Sequence, residues 1–189
     1  MAALIEPSAL LASLSKASLL PSTVIPETFK PSVELSVSFN DKPSVSEVKE
    51  APSISFSPES HVPSDATYTL LMIDPDAPTP DDPKFAYWRH WVVTRIPSDA
   101  TVAAGEALTQ YLAPGPKDDS RPHRYLFLLY REPEGKQKLS KEDVGGEEFV
   151  ERRSFGAREW VGKPGLHLVG VNWMLGAGNG WNIGGKDEL

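Results

Sequence analysis

Eighteen prolines divide this chain of 189 residues. Proline lacks an N–H and its ring clashes with the carbonyl four residues back, so each one stops a helix or sits at the edge of a strand. With 14 glycines added, such punctuation favours strands and ordered loops over long helices. The rest of the composition is that of a globular protein, 40% hydrophobic and 24% charged. At this length one domain, residues 1–189, buries enough apolar surface to fold without disulfides or a structural metal. The chain has no cysteine, which removes thiol nucleophiles, Cys-type zinc sites and iron–sulfur clusters.

The hydrophobic pattern between the prolines predicts mostly β structure. Val33 to Phe39 alternates apolar and polar, as a half-buried strand does, and Ile54 and Phe56 make a shorter piece of the same kind. Tyr68 to Ile73, Trp91 to Ile96 and Tyr125 to Tyr130 are nearly continuous apolar runs of strand length, the mark of strands covered on both faces. Leu166, Leu168, Val171 and Trp173 give a last strand. Helical spacing occurs near the ends. Leu10, Leu11, Leu14, Ala17 and Ser18 share one side after Ser8 as N-cap, with Pro21 as the stop, and residues 1–30 read as a helix and arm. Glu147 to Val161 reads as a helix anchored by Phe149, Phe155 and Trp160, and its Arg152 and Arg153 pair with Glu147, Glu148 and Glu151 on a solvated face. Residues 174–189 form a Gly-rich tail. The expected architecture is an antiparallel β sandwich or sheet with short helices at its margins.

A net charge of -7 repels phosphate backbones and argues against nucleic-acid partners. No run is long and apolar enough to span a bilayer, which leaves at most peripheral membrane contact. The first residues do not read as a secretory signal: Glu6 comes early and Ser13 and Ser15 break the apolar run. Lys186-Asp187-Glu188-Leu189 has the form of an ER-retrieval address. A cytoplasmic location is expected, with the ER lumen as the alternative.

The most unusual stretch is Asp74 to Pro83, DPDAPTPDDP, at the end of a strongly apolar strand. Proline lowers the entropy of such a loop and the cost of a cis peptide, so the sequence can hold carboxylates rigidly. A solvated turn fits it as well, whereas an EF-hand calcium loop does not, because Pro78 replaces a ligand and the glycine is missing. His90 lies between Trp88 and Trp91, and His123 opens another apolar strand beside Arg124 and Tyr125. If these strands are neighbours, two imidazoles, one or two carboxylates and a phenol converge. A carboxylate that keeps an imidazole protonated makes a receptor for phosphate, with Gly115 offering an unobstructed backbone N–H.

The block YTLLMIDPDAPTPDDPKFAYWRHWVVTRIP, from Tyr68 to Pro97, resembles the D-P-D-A-P and W-x-H-W elements of the phosphatidylethanolamine-binding proteins, a family that includes the Raf kinase inhibitor protein and the carboxypeptidase Y inhibitor. YLAPGPKDDSRPHRYLFLLY, from Tyr111 to Tyr130, is similar to the family's G-P and H-R-Y elements, and Arg153 to Trp173 to its C-terminal part. The wording GVNWMLGAG looks like fungal members. The resemblance implies a large central antiparallel sheet, a smaller sheet and terminal helices. It also implies a pocket for phosphoryl head groups and similar anions, lined by Asp74, His90, His123 and Tyr125. Gly115 and Pro116 would contribute from the G-P element, Asp76 and Pro78 would shape the pocket through a cis Ala77-Pro78 bond, Trp88 would form a wall, and Arg124 would brace a loop. Lys117, Asp118, Asp119, Arg121 and Pro122 depart from the animal pattern and change the charge at the mouth.

Two functions fit these residues. One is a binding and regulatory protein that takes a phosphorylated small molecule, a phospholipid head group or a phosphorylated partner; for it the resemblance implies a serine carboxypeptidase or a kinase as the partner protein, with Met1-Ala2-Ala3 engaging the protease. The other is an acid–base enzyme, a cyclase or isomerase, with His90 or His123 as acid or base and Asp74 orienting it. No Walker loop, dinucleotide fingerprint or G-x-S-x-G elbow is present, and no cofactor is expected. A transition metal on Asp74, Asp76, His90 and His123 is a minor third option.

Overall fold

The structure, a computed structural model, describes residues 7–39, 48–98, 101–135 and 139–181. Met1-Ala2-Ala3 and the Lys186–Leu189 address lie outside these residues. The chain runs α1 (Pro7–Lys16), β1 (Leu35–Ser38), β2 (Ser53–Phe56), β3 (Thr67–Asp74), β4 (Trp88–Pro97), β5 (Glu106–Thr109), β6 (His123–Arg131), α2 (Lys141–Val144), α3 (Ala157–Gly162) and β7 (His167–Gly176), with 3-10 turns at Val102–Ala104 and Phe149–Arg152. β1 and β2 pair as a small antiparallel sheet, and the large sheet has the order β5-β4-β3-β6-β7.

The nearly continuous apolar runs in β3 and β6 lie side by side within the large sheet, and its two faces are both covered. Leu71 and Ile73 of β3 and Leu126, Leu128 and Tyr130 of β6 pack beneath Leu10 and Leu14 of α1, Ile25, Phe29 and Trp160 of α3. The alternate residues Tyr68, Leu70, Met72, Tyr125, Phe127 and Leu129 pack against Leu35 of β1 and Ile54 of β2. Side chains alternate along a strand, so a sheet buried on both sides needs apolar residues at every position. The mostly β architecture of two antiparallel sheets with short helices follows from this pattern.

Some boundaries differ from the sequence reading. Before β1, the backbone of Ser32 and Val33 bonds to the Val169 carbonyl of β7, which ties the small sheet's leading segment to the large one. β7 runs to Gly176, so the first residues of the expected tail are strand. The predicted helix over Glu147–Val161 is instead the 3-10 turn, an extended link and α3. Two pulls break it: Ser154 takes a positive φ, and the backbone N–H groups of Ser154 and Phe155 bond to the carbonyls of Phe85 and Tyr87. Phe149 is therefore no core anchor. It is 60% exposed, with its ring edge against Trp88 at 4.6 Å. α2, with its Ser140 and Asp143 capping box, was not foreseen.

Candidate functional site

β3 and β6 run antiparallel, so the end of one meets the start of the other. Asp74 closes β3 and His123 opens β6, and the His123 Nδ1–H donates to Asp74 Oδ2 at 2.8 Å. The other carboxylate oxygen, Oδ1, accepts the backbone N–H of Asp76 at 2.6 Å, which fixes the carboxylate's orientation. On the far side of the imidazole, Nε2 lies 3.1 Å from Ser120 Oγ. Tyr125, two residues along β6, stacks on His123 with ring centres 6.2 Å apart and meets His90 of β4 edge-on at 5.3 Å. Asp74, His90, Ser120, His123 and Tyr125 are 3%, 4%, 3%, 3% and 1% exposed.

His90 is held differently from His123. Its Nδ1–H donates to the Leu112 carbonyl at 2.6 Å, and the Leu112 N–H returns a bond to the His90 carbonyl at 2.9 Å. Burial pushes its pKa down, outweighing the backbone bond and the attraction of Asp74, so the ring rests neutral with Nε2 as an acceptor. Burial likewise raises the Tyr125 phenol, with Asp74 adding to the effect, and keeps it protonated.

The structure thus brings together Asp74, His90, His123 and Tyr125 and gives the other predicted residues separate tasks. Asp76 turns its carboxylate onto Arg124, accepting from the backbone N–H at 2.7 Å, Nε at 3.0 Å and Nη2 at 2.6 Å. Arg124 Nη1 also donates to the Ala17 carbonyl after α1, so this pair fastens the helix to the loop. The Ala77–Pro78 peptide is cis, and Pro78 is half-buried. Trp88, opposite Asp74 in the β3–β4 register, lies under Phe149 and 5.9 Å from the Arg153 guanidinium. Gly115 is exposed, and a Cβ there would meet nothing within 4 Å, while Pro116 is buried. The loop's bond to His90 is made by Leu112 instead. Asp81 and Arg121 join the proline-rich loop to the Lys117–Pro122 loop at 2.6 Å, both side chains exposed. Asp118 packs on Gly178, where a Cβ would come within 2.7 Å of the Asp118 Cα, so the segment after β7 needs glycine there.

Three contributors escaped the sequence reading. Ser120 sits three residues before His123, brought to it by a turn in which its N–H bonds the Lys117 carbonyl at 3.1 Å. Arg152, read as one side of a surface salt bridge, is buried. Its Nη1 donates to the carbonyls of His90 and Gln110 at 2.9 Å each, and Nε donates to that of Glu147 at 3.0 Å. Arg89 is buried beside it and donates to the carbonyls of Val144 and Gly146. Nothing in the spacing marks either arginine as internal.

Among the described residues no three His, Cys, Asp or Glu side chains are grouped to hold a metal ion. Asp76 is spent on Arg124 and His90 Nδ1 on a carbonyl, so the four residues of the metal option do not converge. A cavity of about 840 Å³ lies at the opposite end of the large sheet, bounded by Thr67, Arg95, Arg131 and Glu132, and it contains none of the predicted site residues. Also among the described residues, no helix is long and apolar enough to cross a membrane.

A crystal structure of a carboxypeptidase Y inhibitor complexed with its cognate proteinase superposes with a TM-score of 0.77 at 23% identity, covering 94% of this chain and 98% of that one. A phosphatidylethanolamine-binding protein from Plasmodium vivax gives 0.70 at 23% identity, covering 89% and 97%. These two show a shared fold. An uncharacterized protein of Saccharomyces cerevisiae is 30% identical, over 89% of this chain and 93% of its own. The family model described as phosphatidylethanolamine-binding protein matches residues 25–163, and the chain belongs to that family.

Proposed function

We propose that this protein binds and regulates, taking a phosphoryl group or a similar small anion at Asp74, His90, His123 and Tyr125. The observation that carries the reading is the buried His123–Asp74 pair at 2.8 Å, formed across 49 residues of sequence and flanked by a second imidazole. The carboxylate fixes the orientation of the His123 ring through Nδ1, and with a proton on Nε2 that ring is a donor suited to phosphate oxygen. Trp88, Asp76 and Pro78 support the walls, and the open space at Gly115 lets an anion approach backbone. His90 rests neutral with only an acceptor to offer, so anion binding there takes up a proton.

Sulfate, which keeps its charge across the working range, tests that coupling by calorimetry. It binds more tightly near pH 5.5 than near pH 7.5, with proton uptake; an affinity independent of pH would count against the reading. Phosphoethanolamine against ethanolamine then asks whether the phosphoryl group is what is recognised.

The partner protein in this reading is a serine carboxypeptidase rather than a kinase, a choice supported by the fold shared with a carboxypeptidase Y inhibitor. Deleting Met1 to Ser8 abolishes inhibition of a serine carboxypeptidase; full-length protein that inhibits none would sink the assignment. The protein acts in the cytoplasm in this account. Recovery inside sealed, protease-protected microsomes would transfer it to the ER lumen.

A further inference from the structure

We propose that Asp74, His123 and Ser120 form a nucleophilic relay, and that Ser120 Oγ accepts the acyl group of small esters. This goes beyond the binding reading, because it gives the same cluster a covalent step. The order of contacts is Asp74 Oδ2 to His123 Nδ1 at 2.8 Å, then His123 Nε2 to Ser120 Oγ at 3.1 Å. Such a carboxylate–imidazole–hydroxyl series is recognised by geometry and roles rather than by sequence position, so the missing G-x-S-x-G elbow does not weigh against it.

Each member is fixed for its part. The Asp76 N–H holds the carboxylate through Oδ1. The carboxylate in turn holds the imidazole as the Nδ1–H tautomer, which leaves the Nε2 lone pair facing Ser120. The Ser120 hydroxyl has two acceptors within reach, that lone pair and the Arg121 carbonyl at 2.9 Å. A single proton shared between them needs only a rotation about the C–O bond to reach the base. All three groups are nearly water-free, so bulk water does not compete for the bonds that align them.

The step is acyl transfer. Ser120 Oγ attacks the ester carbonyl while His123 Nε2 removes the hydroxyl proton; the Oγ–carbon bond forms, the ester carbon–oxygen bond breaks, and the proton passes to the departing alkoxide. Water, activated by the same nitrogen, then cleaves the acyl-serine to the free acid. With Ser120 3% exposed, the acyl group must be short.

Full-length protein incubated with a short dialkyl fluorophosphate tests the relay, read by intact mass and peptide mapping. One phosphoryl adduct per chain on Ser120 is expected, together with a burst of one equivalent of nitrophenol from p-nitrophenyl acetate. In Ser120→Ala the adduct disappears, and in Asp74→Asn the labelling rate falls at least about 100-fold. An unlabelled Ser120 in the folded wild type, or equal labelling of Ser120→Ala, overturns the proposal. Inorganic phosphate titrated into the same samples separates the two readings. Phosphate binding without labelling leaves the receptor and removes the relay, while loss of both removes both.

Discussion

The guanidinium of Arg152 donates to the backbone carbonyl of His90, 62 residues away in sequence, at 2.9 Å. That bond and its companions to Gln110 and Glu147 join the 3-10 turn, β4 and the segment after β5. Arg152→Met keeps much of the apolar stem and leaves these carbonyls without a donor. A loss of about 2–4 kcal/mol in urea denaturation is expected, since hydrogen bonds to a charged group and unpaired buried acceptors both count. A change within about 0.5 kcal/mol would place Arg152 on the surface after all.

The lowered pKa of His90 makes stability depend on pH with a definite sign. Because the folded value lies below the ordinary 6.5, the unfolded chain binds the proton more readily. The contribution is whole above pH 6.5 and is lost as pH falls from there toward the folded value. Denaturation midpoints measured down that range decline in the wild type, and His90→Gln flattens that part of the decline. Parallel curves for the two proteins would show that His90 does not carry it.

Asp76 and Arg124 form a pair whose carboxylate is buried and whose guanidinium is 28% exposed. Asp76→Ala strands a donor set that also reaches the Ala17 carbonyl. The expected cost is about 1–3 kcal/mol, below that of a fully buried pair because water reaches Arg124. Amide exchange in the last turn of α1 quickens at the same time. Unchanged exchange there would show that the pair does not anchor the helix.

Glu132 collects four donors at the other end of the sheet: the hydroxyls of Thr67, Thr69 and Thr94 at 2.8, 2.6 and 2.7 Å, and the Arg95 N–H at 2.8 Å. Glu132→Ala is expected to cost about 2–3 kcal/mol through hydroxyls left unpaired, with no effect on anion binding at the distant imidazoles. Weakened anion binding at unchanged fold would reveal a coupling between the two ends of the sheet.

The large sheet was legible because Tyr68–Ile73, apart from Thr69, and Tyr125–Tyr130 are apolar throughout, which only a doubly covered strand requires. Asp74, His90, His123 and Tyr125 could be named because they stand at the ends or starts of those runs, and antiparallel pairing brings such ends together. Ser120 could not be found that way. Its contact depends on how a loop of Pro, Lys, Asp and Ser turns back, and no periodicity encodes that. Arg152 was misplaced for a related reason: backbone carbonyls brought within reach by the fold leave no mark in sequence, and helical spacing from Glu147, Glu148 and Glu151 pointed to solvent. The structure satisfies it with carbonyls instead.

The central claim is an anion receptor built on two buried imidazoles, and nuclear magnetic resonance of the histidine side chains addresses it most directly. The chain has 4 histidines; His61 and His167 are exposed and outside the cluster. Titration with phosphoethanolamine, inorganic phosphate and ethanolamine as the phosphate-free control should give selective, saturable shifts at His90 and His123 with the first two ligands only. No response at those two rings, or equal shifts at all four, would contradict the account.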